Sequence, residues 1–171
     1  MNAERECCHA VAALLAAHGV KRAVVSPGSR NAPLIEALDS VSPMHLTVVI
    51  DERSAAFMAL GMASVTGECV ALVCTSGSAM LNYAPALAEA YYRHIPLVVI
   101  SADRAHEWID RNDGQTILQP TAYGEFVKRR FNIDSRDSAA YRDLVVNDAV
   151  IWLAAIRVAR FMSILRSPIL H

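Results

Sequence analysis

Residues 51–67 read DERSAAFMALGMASVTG and follow directly on the apolar run LTVVI at 46–50. A run rich in β-branched residues, then an acidic pair, then small residues at helical spacing predicts a strand, a carboxylate and a helix. Glu52 would then lie at the carboxyl end of a strand, the edge at which open α/β sheets bind ligands. The same spacing also fits a structural role, with Asp51 or Ser54 capping the helix and Glu52 facing its dipole.

The composition indicates one α/β domain with a well-buried sheet. The chain has 171 residues, of which 54% are hydrophobic, and its mean hydropathy is +0.28. Much of the apolar content is Ala, Val and Leu, which suits a sheet buried on both faces. Lys and Arg number 16 against 17 Asp and Glu, so the charge provides no argument for nucleic acid or an anionic membrane. Small anionic ligands held by a few arginines remain open.

The cysteines, the histidines and the N-terminus predict a cytoplasmic protein without a disulfide framework or a metal site. No two cysteines have CxxC spacing, and the six histidines show neither HExxH nor HxH spacing. We therefore expect buried free thiols in a reducing compartment. The N-terminal stretch MNAERECCHAVAALLAAHG carries charges in its first turns and predicts an amphipathic helix, not a signal peptide. The four cysteines are Cys7, Cys8, Cys69 and Cys74.

Apolar runs alternate with helical patterns up to residue 100. This order predicts a three-layer α/β domain with a parallel sheet and helices on both faces. The predicted strands are 23–25, 46–50, 70–74 and 96–100. The predicted helices are 3–18, 32–38, 52–66 and about 80–93.

Three of the predicted strands end in short polar turns that open a helix. The turns are SPGSRN at 26–31, DER at 51–53 and TSGSA at 75–79. The first has the geometry of an anion site, with free N–H groups, a helix dipole and Arg30, although it also fits a plain turn. Because the carboxyl ends of parallel strands share one edge, the three turns together favour a functional edge.

The pattern changes after the fourth predicted strand. Residues 105–122 have no periodicity and predict a long ordered loop, which in a compact domain usually has a function. FVKRRFNI at 126–133 predicts a strand whose basic residues solvate an exposed edge. Residues 138–157 predict an amphipathic helix, and SPILH at 167–171 has the pattern of a strand that begins there. We therefore expect a fragment that is truncated at the start of its last strand.

Four motifs resemble one enzyme family, in the order in which that family carries them. They are SPGSRNAPL at 26–34, DERSAAFMALGMA at 51–63, CTSGSA at 74–79 and SADR at 101–104. Together they resemble the N-terminal pyrimidine-binding domain of the thiamin-diphosphate-dependent enzymes, and the resemblance covers nearly the whole chain. It implies that residues 1–171 form this pyrimidine-domain fold, with the C-terminal domains of the family absent.

Within that family the motifs are most similar to a transferase of menaquinone biosynthesis. Such an enzyme uses thiamin diphosphate and Mg²⁺ to decarboxylate 2-oxoglutarate, and it adds the succinyl unit to isochorismate. One alternative is another lyase or transferase of the family, such as an acetolactate-synthase-like protein, against which SPGSR and SADR argue. The other alternative is a non-catalytic binding domain that keeps the fold.

The resemblance also assigns roles to individual residues. Glu52 is the cofactor-activating acid, whose carboxylate hydrogen-bonds to N1′ of the aminopyrimidine ring. Two departures from the family pattern lie beside substrate residues: Ala105 stands where the family commonly has Pro, and Gly114 where it often has Asn. The implied cofactor-binding residues are Glu52, Pro27, Gly28, Ser76 and Gly77, and the implied substrate-binding residues are Ser29, Arg30, Arg104 and Gln115.

The motif that holds diphosphate and Mg²⁺ in this family does not occur in the sequence. The family binds both groups through a GDG motif in a separate domain, and these 171 residues contain no GDG. The family's active site lies between domains of two subunits, so we expect the isolated chain to be inactive and the enzyme to be a homodimer or homotetramer. The helix at 52–66 that begins with Glu52 is rich in small residues. Such a face fits either a subunit contact or the core of the domain, and we expect it to form the two-fold contact.

Overall fold

The computed structural model describes residues 3–42, 44–109, 111 and 113–133. In this part of the chain four parallel strands form one sheet in the order β2-β1-β3-β4. The strands are β1 (Arg22–Val25), β2 (His45–Val48), β3 (Val70–Cys74) and β4 (Leu97–Ser101). The helices are α1 (Ala3–Ala17), α2 (Ala32–Asp39), α3 (Glu52–Thr66), α4 (Ser78–Leu81) and α5 (Ala84–Arg93), with 3-10 turns at His106–Trp108 and Gly124–Phe126.

Helices pack on both faces of the sheet, as the apolar pattern predicts. Along β3, Val70, Leu72 and Cys74 pack into the core formed with α3 and α5. The alternate residues Ala71 and Val73 pack into the core formed with α1 and α2. All five are fully buried, which explains why β3 is a continuous apolar run and not an alternating one. The three-layer α/β prediction is confirmed.

The strand order creates a switch point between β1 and β3. These two strands are neighbours, with Val25 opposite Val73. The chain leaves β1 toward α2, which packs on one face, and it leaves β3 toward α5, which packs on the other. The turns after β1 and β3 therefore diverge and open a crevice at the carboxyl edge of the sheet, where doubly wound folds bind their ligands.

The small residues of α3 belong to the core of the domain. Ala55, Ala56, Ala59 and Ala63 are all at most 1% exposed, and they pack against the sheet. Short side chains let the helix approach β3 closely. The helix ends at Gly67, whose φ of 67° is the left-handed conformation of a helix C-cap. The prediction that this small-residue face forms a two-fold contact is wrong for the alanines, because the core of the domain already covers them.

Two predicted elements differ from the observed ones in length or continuity. The strand at 46–50 ends at Val48, and Ile50 beyond it is 84% exposed. The helix at 80–93 is two helices, α4 and α5, separated at Asn82 and Tyr83. Pro85 lies in the first turn of α5, and its missing N–H cannot continue the helical bonding of α4.

The predicted strand at 126–133 is wrong. Phe126 ends a 3-10 turn and packs edge-on against Tyr91 and Tyr92 of α5, and the described residues after it join no ladder. Apolar residues flanking a basic run do not make a strand when no neighbouring strand supplies hydrogen bonds. The predicted helix at 138–157 and the strand-like SPILH at 167–171 lie outside the described residues. Among the helices that the structure does describe, none has the length and apolar character to cross a bilayer.

Candidate functional site

The turns after β1 and β3 touch at the floor of the crevice. The N–H of Ser26 donates to the carbonyl of Val73 at 2.8 Å. Gly28 then lies directly against Thr75, because a Cβ built on Gly28 would come within 2.5 Å of the Thr75 Cβ. Only glycine fits this approach. Two of the three predicted polar turns therefore meet in space.

Asn31 holds the turn after β1 in shape. Its side chain is fully buried, its Oδ1 accepts the N–H of Gly28 at 2.8 Å, and its Nδ2 donates to the carbonyl of Ser26 at 2.9 Å. The amide thus satisfies both ends of the turn. The side chains of Ser29 and Arg30 are exposed and make no hydrogen bond or ion pair within the described residues. They are available to a ligand at the start of α2.

Asp51 caps α3, so Glu52 is not needed as the helix cap. Asp51 Oδ1 accepts the N–H of Ser54 at 2.7 Å, and hydrogen bonds from Ser54 hold the pKa of the Asp51 carboxyl below its ordinary value. Glu52 is the first residue of the helix and is half-buried. Its carboxylate makes no hydrogen bond or ion pair with the residues described. The capping interpretation therefore applies to Asp51, and it does not account for Glu52.

Buried, uncharged side chains surround the end of β3. Cys74 ends β3 close enough to feel the charge of Glu52, and burial is the main cause that raises the pKa of its thiol to about 12. Burial likewise raises the pKa of the Tyr83 hydroxyl well above its ordinary value. Tyr123, whose hydroxyl donates to the carbonyl of Met80 at 2.9 Å, also has a raised pKa because it is buried. Burial therefore keeps all three groups protonated at neutral pH.

A cluster of buried hydroxyl groups lies at the same edge. Each is less than 9% exposed and has no hydrogen-bond partner of good geometry, although the Tyr83 hydroxyl lies near Ser26 and the Cys74 thiol. A buried polar group without a partner costs about 1–3 kcal/mol, so several together indicate a place for a polar ligand or water. The hydroxyl cluster consists of Ser26, Thr75, Ser76 and Tyr83.

Gln119 ties the loop of residues 113–123 to two strand exits. It is 6% exposed, its Oε1 accepts the N–H of Gly77 at 2.7 Å, and its Nε2 donates to the carbonyl of Ala102 at 2.9 Å. Gln115 lies against Gly77 as well, because a Cβ on Gly77 would be 2.8 Å from the Gln115 Cα. Sequence analysis missed Gln119, since one glutamine in a loop without periodicity carries no local signal.

Arg104 leaves β4 at the same edge and is paired. Its N–H donates to Asp103 Oδ1 at 2.7 Å, and its guanidinium forms an ion pair with Asp113. Burial raises the pKa of the Asp103 carboxyl. Sequence analysis predicted Arg104 as a ligand-binding residue but did not single out Asp113.

A separate open groove of about 590 Å³ lies between α2 and β2. It shares Pro27 and Gly28 with the switch point, but its lining does not include Glu52, Arg104 or Gln115. The switch point remains the candidate site, because the buried unpaired groups gather there. The groove is lined by Pro27, Gly28, Ala32, Ile35, Glu36, Asp39, Leu46 and Val48.

Comparison with known proteins identifies sequence relatives of this domain. The family model of the thiamine pyrophosphate enzyme, N-terminal TPP binding domain, matches residues 5–122. The chain is similar to the 2-succinyl-5-enolpyruvyl-6-hydroxy-3-cyclohexene-1-carboxylate synthase of Porphyromonas gingivalis, at 52% identity over 136 residues, 77% of this chain and 24% of the relative. It is also similar to the synthase of the same name from Cytophaga hutchinsonii, at 54% identity over 122 residues, 71% of this chain and 22% of the relative. The chain thus spans about a quarter of the length of these relatives.

Solved structures with the same fold have more distant sequences. Benzoylformate decarboxylase from Polynucleobacter necessarius aligns with a TM-score of 0.64 and 19% identity, over 73% of this chain and 23% of its own. The thiamine diphosphate-dependent 4-hydroxybenzoylformate decarboxylase of Rhodococcus jostii RHA1 aligns with a TM-score of 0.69 and 22% identity, over 84% and 27%. These two likenesses support the fold alone.

Proposed function

Since the chain belongs to the thiamine pyrophosphate enzymes and carries their N-terminal TPP binding domain, we propose that it is the pyrimidine-binding domain of a 2-succinyl-5-enolpyruvyl-6-hydroxy-3-cyclohexene-1-carboxylate synthase. The observation that carries the proposal is the 52% identity over 136 residues to a synthase of that name. The enzyme decarboxylates 2-oxoglutarate and transfers the succinyl unit to isochorismate, a step in menaquinone biosynthesis. We place it in the cytoplasm.

The residues at the switch point fit an aminopyrimidine ring. The hydroxyl cluster offers buried donors and acceptors that lack partners. Gly28 lets the turn after β1 lie directly against Thr75 of that cluster, and Glu52 presents a carboxylate without a partner in the described structure. The groups proposed to hold the ring are Glu52 and residues Pro27, Gly28, Ser76 and Gly77. When bound, thiamin diphosphate supplies an electron sink for the electron pair released when a 2-oxo acid loses CO₂.

Glu52 is the proposed general acid/base of the site. Its carboxylate would hold the proton at ring atom N1′ and exchange it as the cofactor is activated. Cys74, which is close enough to interact electrostatically with Glu52, is uncharged at neutral pH and adds no competing ion. A carboxylate beside a buried, uncharged group keeps a strong interaction with a protonated ring nitrogen.

The substrates carry carboxylates, which suit arginine. Arg30 lies exposed at the start of α2, and Arg104 lies at the end of β4. Guanidinium groups bind carboxylates through two parallel N–H bonds. We propose that Ser29, Arg30, Arg104 and Gln115 bind the substrates, with Gln115 brought to the edge by its contact with Gly77.

The diphosphate and Mg²⁺ are proposed to bind outside these 171 residues. The sequence contains no GDG motif, and no group of three metal-ligating side chains occurs among the described residues. The site would then be completed by another domain, as in a homodimer or homotetramer. The alanine face of α3 is occupied by the core, so the proposed subunit contact is the opposite face, where Phe57 and Met58 are 44% and 42% exposed beside Gly61.

The test is an assay of the enzyme that contains this domain, with thiamin diphosphate and Mg²⁺ added. Release of CO₂ from 2-oxoglutarate, together with succinyl transfer that requires isochorismate, supports the proposal. Turnover of pyruvate in place of 2-oxoglutarate would identify an acetolactate-synthase-like enzyme. Absence of both turnover and thiamin diphosphate binding would identify a non-catalytic domain.

A further inference from the structure

Arg104 and Asp113 form the ion pair nearest to the proposed substrate residues. The Arg104 side chain is only 18% exposed, and that of Asp113 is 38% exposed. One guanidinium nitrogen of Arg104, Nη2, contacts one oxygen of Asp113, Oδ2. The contact therefore uses one edge of the guanidinium, whereas a bidentate pair would use two of its N–H groups.

The loop itself engages the other oxygen of Asp113. Oδ1 accepts the N–H of Gly114 at 2.8 Å, and the Asp113 carbonyl accepts the hydroxyl of Thr116 at 2.5 Å. The two oxygens of the Asp113 carboxylate thus have different partners, since Oδ1 accepts a backbone N–H and Oδ2 contacts Arg104. The orientation of the carboxylate is set by its own turn.

The loop that contains Asp113 is also anchored to the sheet. Gln115 lies against Gly77, and Gln119 bonds both Gly77 and the carbonyl of Ala102. Ala102 precedes Arg104 by two residues in the same strand exit. These contacts hold the loop that carries Asp113 close to the strand exit that carries Arg104.

We propose that Asp113 is a positioning residue that orients Arg104 for a substrate carboxylate. It holds one nitrogen of the guanidinium and leaves the remaining N–H groups to the ligand. The inference rests on the proposed function in so far as Arg104 binds substrate. The opposite role, a carboxylate that competes with the substrate for Arg104, predicts the opposite sign when Asp113 is removed.

The first experiment measures the orientation of Arg104 in the purified chain. The Nε–Hε signal of Arg104, assigned with Arg104→Lys, is followed by NMR in ¹⁵N-arginine-labelled protein. We expect a resolved signal in the unmodified chain and in Asp113→Asn, whose amide oxygen still accepts a hydrogen bond. In Asp113→Ala the signal should move to the position of exposed arginines. Glu89→Ala is the matched control, because it removes the carboxylate partner of Arg93 at 3.5 Å on α5.

The second experiment measures substrate binding in the enzyme that contains this domain. We expect Asp113→Ala to raise the KM for 2-oxoglutarate about fivefold, the effect of losing one partly exposed charged contact, with kcat changed less than about twofold. Asp113→Asn should restore KM to within about twofold. An unchanged or lower KM in Asp113→Ala, or an unmoved Arg104 signal, overturns the proposal.

The two experiments separate this inference from the function on which it rests. An enzyme that does not consume 2-oxoglutarate would refute the proposed function. The Arg104 signal would still decide whether Asp113 orients that side chain, because it is measured without substrate. Circular dichroism of Asp113→Ala and Asp113→Asn checks that both variants are folded.

Discussion

The backbone N–H of Gly77 donates a 2.7 Å hydrogen bond to the side chain of Gln119, across 42 residues of sequence. Through this bond the loop after β4 is fastened to the exit of β3. The same glutamine amide bonds the exit of β4 at Ala102. One side chain thereby links the loop to both strand exits, and Gln115 of the same loop lies against Gly77.

Replacing Gln119 with Ala should lower the free energy of unfolding by about 2 kcal/mol, because the buried N–H of Gly77 loses its partner. Urea denaturation of the purified chain measures the change. The matched control is Asn82→Ala, whose amide also makes two bonds, to Ser78 and Ala79, but is exposed. That control should change stability by less than about 0.5 kcal/mol. Equal effects of the two variants would contradict the role of Gln119.

Replacing Gly77 with Ala should also destabilise the chain, by about 1–3 kcal/mol. Its φ of 82° is unfavourable for alanine, and the new Cβ would lie 2.8 Å from the Gln115 Cα. Gly61→Ala is the control, because nothing lies within 4 Å of a Cβ there and the position is inside a helix. It should raise stability by about 0.5–1 kcal/mol. Thermal denaturation of both variants measures the opposite signs.

The sheet and its helices could be predicted because their signals are local. β3 is a continuous apolar run, and α3 has helical spacing of small residues with a glycine at its end. Each pattern lies within about fifteen residues, and both faces of β3 need apolar side chains whatever the rest of the chain does. Once the strands are known to be parallel, the sequence also predicts that their carboxyl ends meet at one edge of the sheet.

The contacts that complete the site could not be predicted in the same way. Gln119 and Gly77 are 42 residues apart, and Asp113 pairs with Arg104 across 9 residues of a loop without periodicity. Side-chain partners of this kind depend on how the loop returns to the sheet, which no local propensity encodes. The prediction of a strand at 126–133 was wrong for a related reason: a strand forms only where a neighbouring strand pairs with it, and local sequence does not show whether one is there.

Cys74 should be the least reactive of the four cysteines in the folded chain. Burial raises its pKa from 9.0 to about 12, and the thiolate is the nucleophile. At pH 8–9 iodoacetamide should therefore label Cys7, Cys8 and Cys69, which are half-buried, before Cys74. Mass spectrometry of the labelled peptides measures the order, and labelling in denaturant should remove the difference. Early labelling of Cys74 in folded protein would refute its burial.

The raised pKa of Cys74 also makes the stability of the fold depend on pH. Because the pKa of this thiol is higher in the folded chain than in the unfolded one, the stabilising effect of the neutral thiol is present below pH 9 and is lost as pH rises toward 12.

Replacing Glu52 with Gln tests whether this carboxylate activates the cofactor. In the enzyme that contains this domain we expect activity and exchange of the cofactor C2 proton to fall about 100-fold or more, since general acid/base help is of that size. Asp51→Asn is the matched control: it also removes one carboxylate at the start of α3, but its side-chain oxygen can still accept the N–H of Ser54. Activity of that variant should stay within about threefold of the unmodified enzyme.

Because Asp51 supplies the cap, the Glu52→Gln variant should keep α3. Its unfolding free energy should fall by no more than about 1 kcal/mol, the usual contribution of a charge at a helix N-terminus. Unchanged C2-proton exchange in a folded Glu52→Gln enzyme would remove this residue from the mechanism and leave only its place in the first turn of the helix.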